Sequence, residues 1–442
     1  MRVTSQVDRP APAHAPALQV DTAVEQALPA APLPRWPMVG MFGLFPLWWA
    51  LGCVDMMLFP MAVVMLLYLR RRSALRAPRG FGLWLFFLAW SAVSVIELDS
   101  ALRIVGFGYR LAIYLSCTVL FLYVHNGRDR LSARFVAGLA VVFWATTIVG
   151  GFLGLFFPKT VIRTPLSYVL PGALTNNELV NQMVIRRFAQ YNPDSYFQIA
   201  PRPSAPFLYT NNWGNVFSLL FPLVIAYLVL VRRERRFLVL ALAVPIGFVP
   251  AVLTLNRGMF LGLAVSLAYI SLRLALLRHA RAILGVTLIG VLAVVAVLVL
   301  PVGDRLDNRL ENSATNESRT TLYGEVLKST ADSPLFGMGA PRPAESAGNP
   351  PVGTQGQLWL VLYSHGPAAV VGFFGWFLVA FIGSLRRRDA IGLAVSCMLL
   401  VGLVEFIYYG LLPYGLPLLM IAAGLALRSE EPTPHAGLSR AL

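Results

Sequence analysis

The sequence predicts an all-α integral membrane protein with about 12 transmembrane helices, two long external loops and both termini in the cytoplasm. Three observations point there. Of the 442 residues, 57% are hydrophobic and only 13% charged, against roughly a quarter charged in a soluble domain. The apolar residues come in runs long enough to cross a hydrocarbon core, about 20 residues each. The basic residues, nearly all arginine, crowd into alternate connectors between those runs, the bias that marks cytoplasmic loops.

Residues 1–35 are rich in Ala and Pro, as in "RPAPAHAPALQ". They lack the apolar stretch and cleavage pattern of a signal peptide and read as a disordered cytoplasmic tail. The polytopic membrane domain covers 36–427. Its spans run roughly over 38–54, 56–69, 82–97, 102–124, 135–157, 213–231, 237–254, 258–277, 282–300, 357–384, 390–408 and 411–427. Asp55 and Pro60 interrupt the first two, which read as a tight helical hairpin or an irregular pair. The connectors "RRRSALRAPR", "HNGRDRLSAR", "RRERR", "RHAR" and "LRRRD" fall on one side, the cytoplasmic one. "VD", "ELDS", "LNRG" and "YYGLLP" fall on the other. The long segments 158–212 and 301–356 then lie outside, and each exceeds a plain connection. In the second, TTLYGEVLKSTA (320–331) spaces Leu322, Val326 and Leu327 as a short amphipathic helix at the outer interface. Residues 428–442 read as a second disordered cytoplasmic tail.

The net charge of +15 does not signal nucleic-acid binding, because the arginines sit between apolar spans and not on a compact basic domain. Cys53, Cys117 and Cys397 lie in or beside apolar runs without metal-ligand or disulfide spacing. No metal and no cofactor is expected. "GMG" at 337–339 lacks the Lys-Ser/Thr of a nucleotide-binding loop. Trp36, Trp48, Trp49, Trp213 and Trp359 lie near span ends as interfacial anchors, with sugar stacking a secondary role for Trp213 and Trp359.

The charges at membrane depth carry the functional reading. TLNRGM (254–259) is the outer turn between spans seven and eight. Arg257 there is a permanent cation suited to bidentate phosphate binding, with Asn256 beside it as donor and acceptor. Arg103 and Arg110, seven residues apart, share one helix face about 10 Å apart along the axis. Arg110 lies inside the hydrocarbon, where an arginine costs about 2.5–3.5 kcal/mol on insertion scales. Either an anion answers it, or an internal ion pair with Glu97, Asp99 or Glu405. Glu405, the only acidic residue well inside its span, either holds an arginine or acts on substrate. The loops add Arg163, Arg186, Arg187, Arg202, Arg319 and Arg342. An outward cavity lined by arginines suits a lipid-linked phosphate or pyrophosphate.

Four stretches resemble the bacterial O-antigen ligase and polysaccharide polymerase superfamily. "RPSAPFLYTNNWGN" (202–215) is similar to the family's Arg, Ser-Gly, Phe and small-residue–Asn turn, with Ala205 for Gly; Asn211 falls in that turn. "LNRG" (255–258) resembles its Ser-Arg-Gly, with Asn256 for Ser. "ESRTTLYGEVLKSTADSPLFGMGA" (317–340) resembles its Arg, short helix and Pro-Leu-x-Gly-x-Gly. "TQGQLWLVLYSHG" (354–366) resembles the start of the span after the large loop. The layout of about a dozen spans with a large loop in the C-terminal half agrees.

The resemblance implies a metal-independent glycosyltransferase in the cytoplasmic (inner) membrane, its active site facing outward. It would ligate or polymerise glycan from an undecaprenyl-pyrophosphate-linked donor onto a glycan or lipid acceptor. It implies that Arg257 and Arg202 bind the pyrophosphate and stabilise its leaving charge, with Arg319 a further carried-over candidate; Arg257, Arg202 and Gln355 are the catalytic candidates, and Arg319 with the charges and turn residues Arg103, Arg110, Asn211, Asn256 and Glu405 the substrate-binding ones. One departure stands out. The family's His falls on Gln355, its Asn on Gly356 and its Glu on Ser364, and Gln cannot act as a general base. Three explanations stay open. Another group moves the proton (Glu178, Asp194, Glu325, Glu345, Glu405 or His365). Or leaving-group stabilisation suffices, with Gln355 bonding substrate. Or the protein binds lipid-linked glycan without transferring it. His365 lies roughly 15 Å deeper than Gln355 on a straight helix. The rival classes are a transporter or flippase of a lipid-linked or anionic substrate, and a non-catalytic envelope scaffold. Transporters more often show repeats, and none is visible here.

Overall fold

The computed structural model describes residues 32–428 except 73, 177, 191–200, 280–282, 286, 289, 292–314 and 345–349. Nearly all of both expected tails, most of span nine, Asp194, Glu345 and the side chain of Glu178 lie outside the described residues. The chain is mainly helical. In order come α1 (Phe45–Leu51), α2 (Leu58–Arg70), α3 (Phe81–Val93), α4 (Ala101–Asn126) and α5 (Ala133–Phe156). Four short strands follow: β1 (Val161–Arg163), β2 (Ile185–Arg187), β3 (Ala189–Gln190) and β4 (Arg202–Pro203). Then come α6 (Thr210–Leu230), α7 (Arg236–Leu253), α8 (Arg257–Leu276), α9 (Thr315–Asp332), α10 (Gln357–Ser384), α11 (Ala390–Glu405) and α12 (Gly415–Ala426).

Among the described residues, α4–α8 and α10 are long and apolar enough to cross a membrane. Expected spans one and two do not stand as separate spans. α1 meets the helical stretch Val54–Arg70 at 120°, as in a broken span or a re-entrant loop. The cause is local: Gly52 ends α1 in a left-handed conformation, and a 3-10 turn at Val54–Met56 carries Asp55 into the interior. α11 and α12 are shorter apolar helices, as is Phe81–Glu97, which runs on from α3.

α6 is the hub, packed against α5, α8, α11 and α12. It is buried along most of its length, so its apolar residues run round the whole helix and not along one stripe. Pro222 in α6 and Pro245 and Pro250 in α7 are tolerated because neighbouring helices re-satisfy freed backbone groups at membrane depth.

The alternation of connectors reappears as two ends. At one end Arg72 pairs with Asp129 at 3.2 Å, Arg134 pairs with Glu234, Arg428 donates to Leu131 O at 2.7 Å, and Arg273 donates to Arg387 O at 2.9 Å. At the other, Arg202 Nε donates to Thr254 O at 2.7 Å, Arg103 donates to Met338 O at 2.5 Å, and Gln357 N donates to Tyr409 O at 2.7 Å.

The segment after α5 folds down onto this second end through two antiparallel pairs, β1–β2 and β3–β4. Side chains alternate sides along a strand, so in β2 Arg187 is exposed while Arg186 is buried against Asp55 at 2.7 Å. Arg186 therefore lines no outward cavity. α9 docks onto α10 through Leu322 and Val326, which pack with Val352 and Tyr363. Leu327 faces outward, so the buried stripe of α9 is narrower than the sequence suggested.

Candidate functional site

The site is built around the connector between α11 and α12. Asn256 caps the start of α8 and is buried. Its amide nitrogen donates to Thr210 O at 3.1 Å, and its amide oxygen accepts from the Tyr409 hydroxyl. This ties the first turns of α6 and α8 to the connector. Gly258 follows two residues later. A Cβ there would lie 2.7 Å from Tyr408 Cε2 and 2.8 Å from Tyr409 Oη. Only glycine lets α8 start this close to the two tyrosines. Arg257, between these fixed neighbours, is exposed and has no hydrogen bond or ion pair among the described residues.

Two more arginines converge here. β4 sets Arg202 beside the last carbonyl before the α8 turn, Thr254 O. On α9, Arg319 and Tyr323 lie four apart, on one helix face. Tyr323 stacks on Trp359 with centroids 4.2 Å apart and points its hydroxyl at the carbonyls of Gln355 and Ile407, each at 3.4 Å. The charges of Arg202 and Arg319 both reach Tyr409. The helix N-termini of α6 and α8 meet at the same place, and such termini favour anions. Chemically this is a cationic, donor-rich surface able to hold a phosphate-bearing group and stabilise charge that develops on it.

Gln355 is half-buried at this surface, its side-chain amide 3.4 Å from Thr354 Oγ1. Asn211 is exposed on the first turn of α6. Arg103 lies elsewhere, with Asp99 at 2.5 Å, Met338 O at 2.5 Å and Ala340 O as partners. Arg342 joins it on Asp99 at 2.8 Å. Arg110 lies further along α4. Among the described residues Glu405 pairs with no arginine, contrary to one expectation. It is fully buried, and its oxygens accept from Ser218 Oγ at 2.5 Å and Asn215 Nδ2 at 2.6 Å. Trp213 is also fully buried, donating to Thr147 O at 2.9 Å, so it offers no face to a sugar. Among the described residues, no three His, Cys, Asp or Glu side chains group to hold a metal.

Sequence reasoning missed Tyr408 and Tyr409, reading "YYGLLP" only as a connector. The available signal was their position immediately after Glu405 and two other apolar residues, at the end opposite the arginine-rich connectors.

Residues 246–360 match the family model described as O-antigen ligase. This stretch is what the chain shares with the O-antigen ligase family. It bears out the resemblance to the ligase and polymerase superfamily and, with the apolar helices, points to a multi-pass membrane protein of glycan processing. The O-antigen ligase stretch runs from within α7 to the first turn of α10, so it contains Arg257, Arg319 and Gln355. Arg202, Tyr408 and Tyr409 lie outside it and are brought to it by the fold. No curated protein matches the chain.

Proposed function

We propose that the protein transfers glycan from an undecaprenyl-pyrophosphate-linked donor, by ligation or polymerisation, at the outer face of the cytoplasmic membrane. The observation that carries this reading is Arg257. It is held at the mouth of the bundle by the Asn256–Tyr409 bond and the Gly258 contact, yet has no anion partner among the described residues. An arginine so placed and unpaired is suited to a substrate anion. Arg202 and Arg319 supply further positive charge on the same connector. The arginine-rich connectors favour a cytoplasmic opposite end, which supports an outward position for this one, at the depth of a lipid headgroup.

In the transfer, an acceptor hydroxyl oxygen bonds to the donor's anomeric carbon. The anomeric C–O bond to pyrophosphate breaks, its electron pair passing to the phosphate oxygen, and the hydroxyl proton follows to a leaving-group oxygen. The arginines stabilise charge that is greater in the transition state than in the bound donor, the kind of interaction that lowers a barrier. Gln355 bonds substrate in place of the family's His.

The test is Arg257→Ala in proteoliposomes supplied with a polyprenyl-pyrophosphate glycan and acceptor. Transfer should fall at least about 100-fold, the scale of losing one oxyanion-stabilising donor, while membrane insertion is unchanged. Transfer near wild-type level would overturn the assignment.

A further inference from the structure

A second polar site lies apart from the Tyr409 connector, between α3, α4 and α10. On α4, Arg103, Phe107, Arg110 and Tyr114 follow one another at three- and four-residue steps and share a face. His365 packs on that face, its ring 6.0 Å from Phe107 and 6.4 Å from Tyr114. Its Nδ1 lies 2.6 Å from Ser94 Oγ. Ser94 donates its own hydroxyl proton to Ser91 O at 2.7 Å, so Nδ1 carries the imidazole proton and Nε2 a lone pair. His365 is only 3% exposed, and Nε2 has no partner. Arg110 sits on the same face, close enough for its charge to act on the ring. It has no hydrogen bond or ion pair among the described residues. Of the candidate carboxylates, Asp99 is engaged by Arg103 and Arg342, Asp55 by Arg186 and Tyr414, and Glu405 by Ser218 and Asn215, and Glu97 makes no ion pair with Arg110 among the described residues.

The loop Leu335–Ala340 roofs this region. It docks where α10 breaks at Gly366, whose φ of 78° suits glycine and is followed by Pro367. Met338 N donates to Tyr363 O at 2.7 Å, and Trp90 Nε1 bridges Leu335 O and His365 O at 3.1 Å each. The region thus has one cation lacking an acceptor and one buried lone pair lacking a donor. A water satisfies the second but brings no charge for the first.

We propose that Arg110 and His365 form a second anion site that takes a singly protonated phosphate group, its charged oxygen on Arg110 and its P–OH donating to His365 Nε2. The group is either free phosphate or a lipid-borne phosphate monoester. The site is separate from the connector that holds Arg257, and goes beyond the transferase reading.

The test is thermal denaturation of the full chain in phosphate-free detergent, since a ligand bound only by the folded state raises its melting temperature. Inorganic phosphate, or micelles doped with short-chain phosphatidic acid, should raise the wild-type melting temperature, whereas equal chloride should not. A shift with both probes identifies phosphate itself as sufficient, and a shift with phosphatidic acid alone identifies a lipid headgroup. In an Arg257→Ala background, which weakens phosphate binding at the connector, Arg110→Gln should abolish the shift that remains and melt no lower than its parent without ligand, because it removes an uncompensated cation. Arg110→Lys should keep a weakened shift. Arg257→Ala should lose transfer yet keep the part of the shift that Arg110→Gln removes, so this inference and the transferase reading fail separately. No shift in the wild type, a shift in the Arg257→Ala background that survives Arg110→Gln undiminished, or destabilisation or misfolding caused by Arg110→Gln would each overturn the proposal.

Discussion

Tyr409 donates its hydroxyl proton to the buried amide oxygen of Asn256, joining residues 153 positions apart. The bond fixes which way the Asn256 amide faces, and so leaves its nitrogen to hold Thr210 O. The turn that presents Arg257 is thereby tied to two other elements. Tyr409→Phe keeps the ring but orphans a buried carbonyl oxygen, a loss of about 1–3 kcal/mol. Under the proposed function, transfer should fall about tenfold or more while the protein still inserts. Melting temperature and transfer rate measured on the same preparation check both halves.

Gly258→Ala sets two effects against each other. At a helix position, alanine is favoured over glycine by about 1 kcal/mol. Here the added methyl would stand 2.8 Å from Tyr409 Oη and 2.7 Å from Tyr408 Cε2, and overpacking of this kind costs typically about 1–3 kcal/mol. The clash should win, giving a lower melting temperature and loss of transfer. A higher melting temperature would show that the tyrosines move aside freely.

The long helices were legible in the sequence because length and hydropathy alone select them. The break at Asp55 was legible too, as a hairpin or irregular pair; what was not is what accommodates it, because the pairing of Asp55 with Arg186 spans 131 positions. Motif position drew attention to Arg257, Arg202 and Arg319. It did not show that Arg103, on an equally suggestive helix face, is engaged by Asp99 and the carbonyls of Met338 and Ala340. Nor did it show that the lone acid Glu405 is satisfied by an amide and a hydroxyl. Pattern gives residue type and depth; only the fold says which donors are already engaged.

Asp99 offers a pH test of the loop that Arg103 and Arg342 hold. The hydrogen bond from Arg103, aided by the charges of Arg103 and Arg342, lowers the carboxyl pKa from its ordinary 3.8. A folded-state value below the unfolded one means that the stabilisation is fully present above the ordinary value and is lost as pH falls through the lowered one. Hydrogen exchange at Gly337–Ala340 should therefore stay slow at neutral pH and quicken only below about 3.8. Asp99→Asn should quicken it at neutral pH. Identical exchange in wild type and variant would show that the carbonyl bonds alone hold the loop.

The Asp55–Arg186 pair is expected to hold the bent helices to the first loop, and a series of variants separates its parts. Both side chains are almost fully buried, 1% and 3% exposed, and Tyr414 donates to the other Asp55 oxygen. Removing one partner of a buried pair costs about 3–5 kcal/mol, because the remaining charge is left in the interior. Arg186 is especially exposed to that loss, since its Nε and Nη1 already lack partners. Asp55→Leu should thus lower the melting temperature more than any variant above. Adding Arg186→Met removes the stranded cation and should recover most of the loss, because apolar replacement of a whole buried pair is often neutral or better. Tyr414→Phe, added third, removes the last orphaned hydroxyl and should recover about another 1–3 kcal/mol. If the double variant melts as low as Asp55→Leu alone, the pair contributes through shape and not through charge.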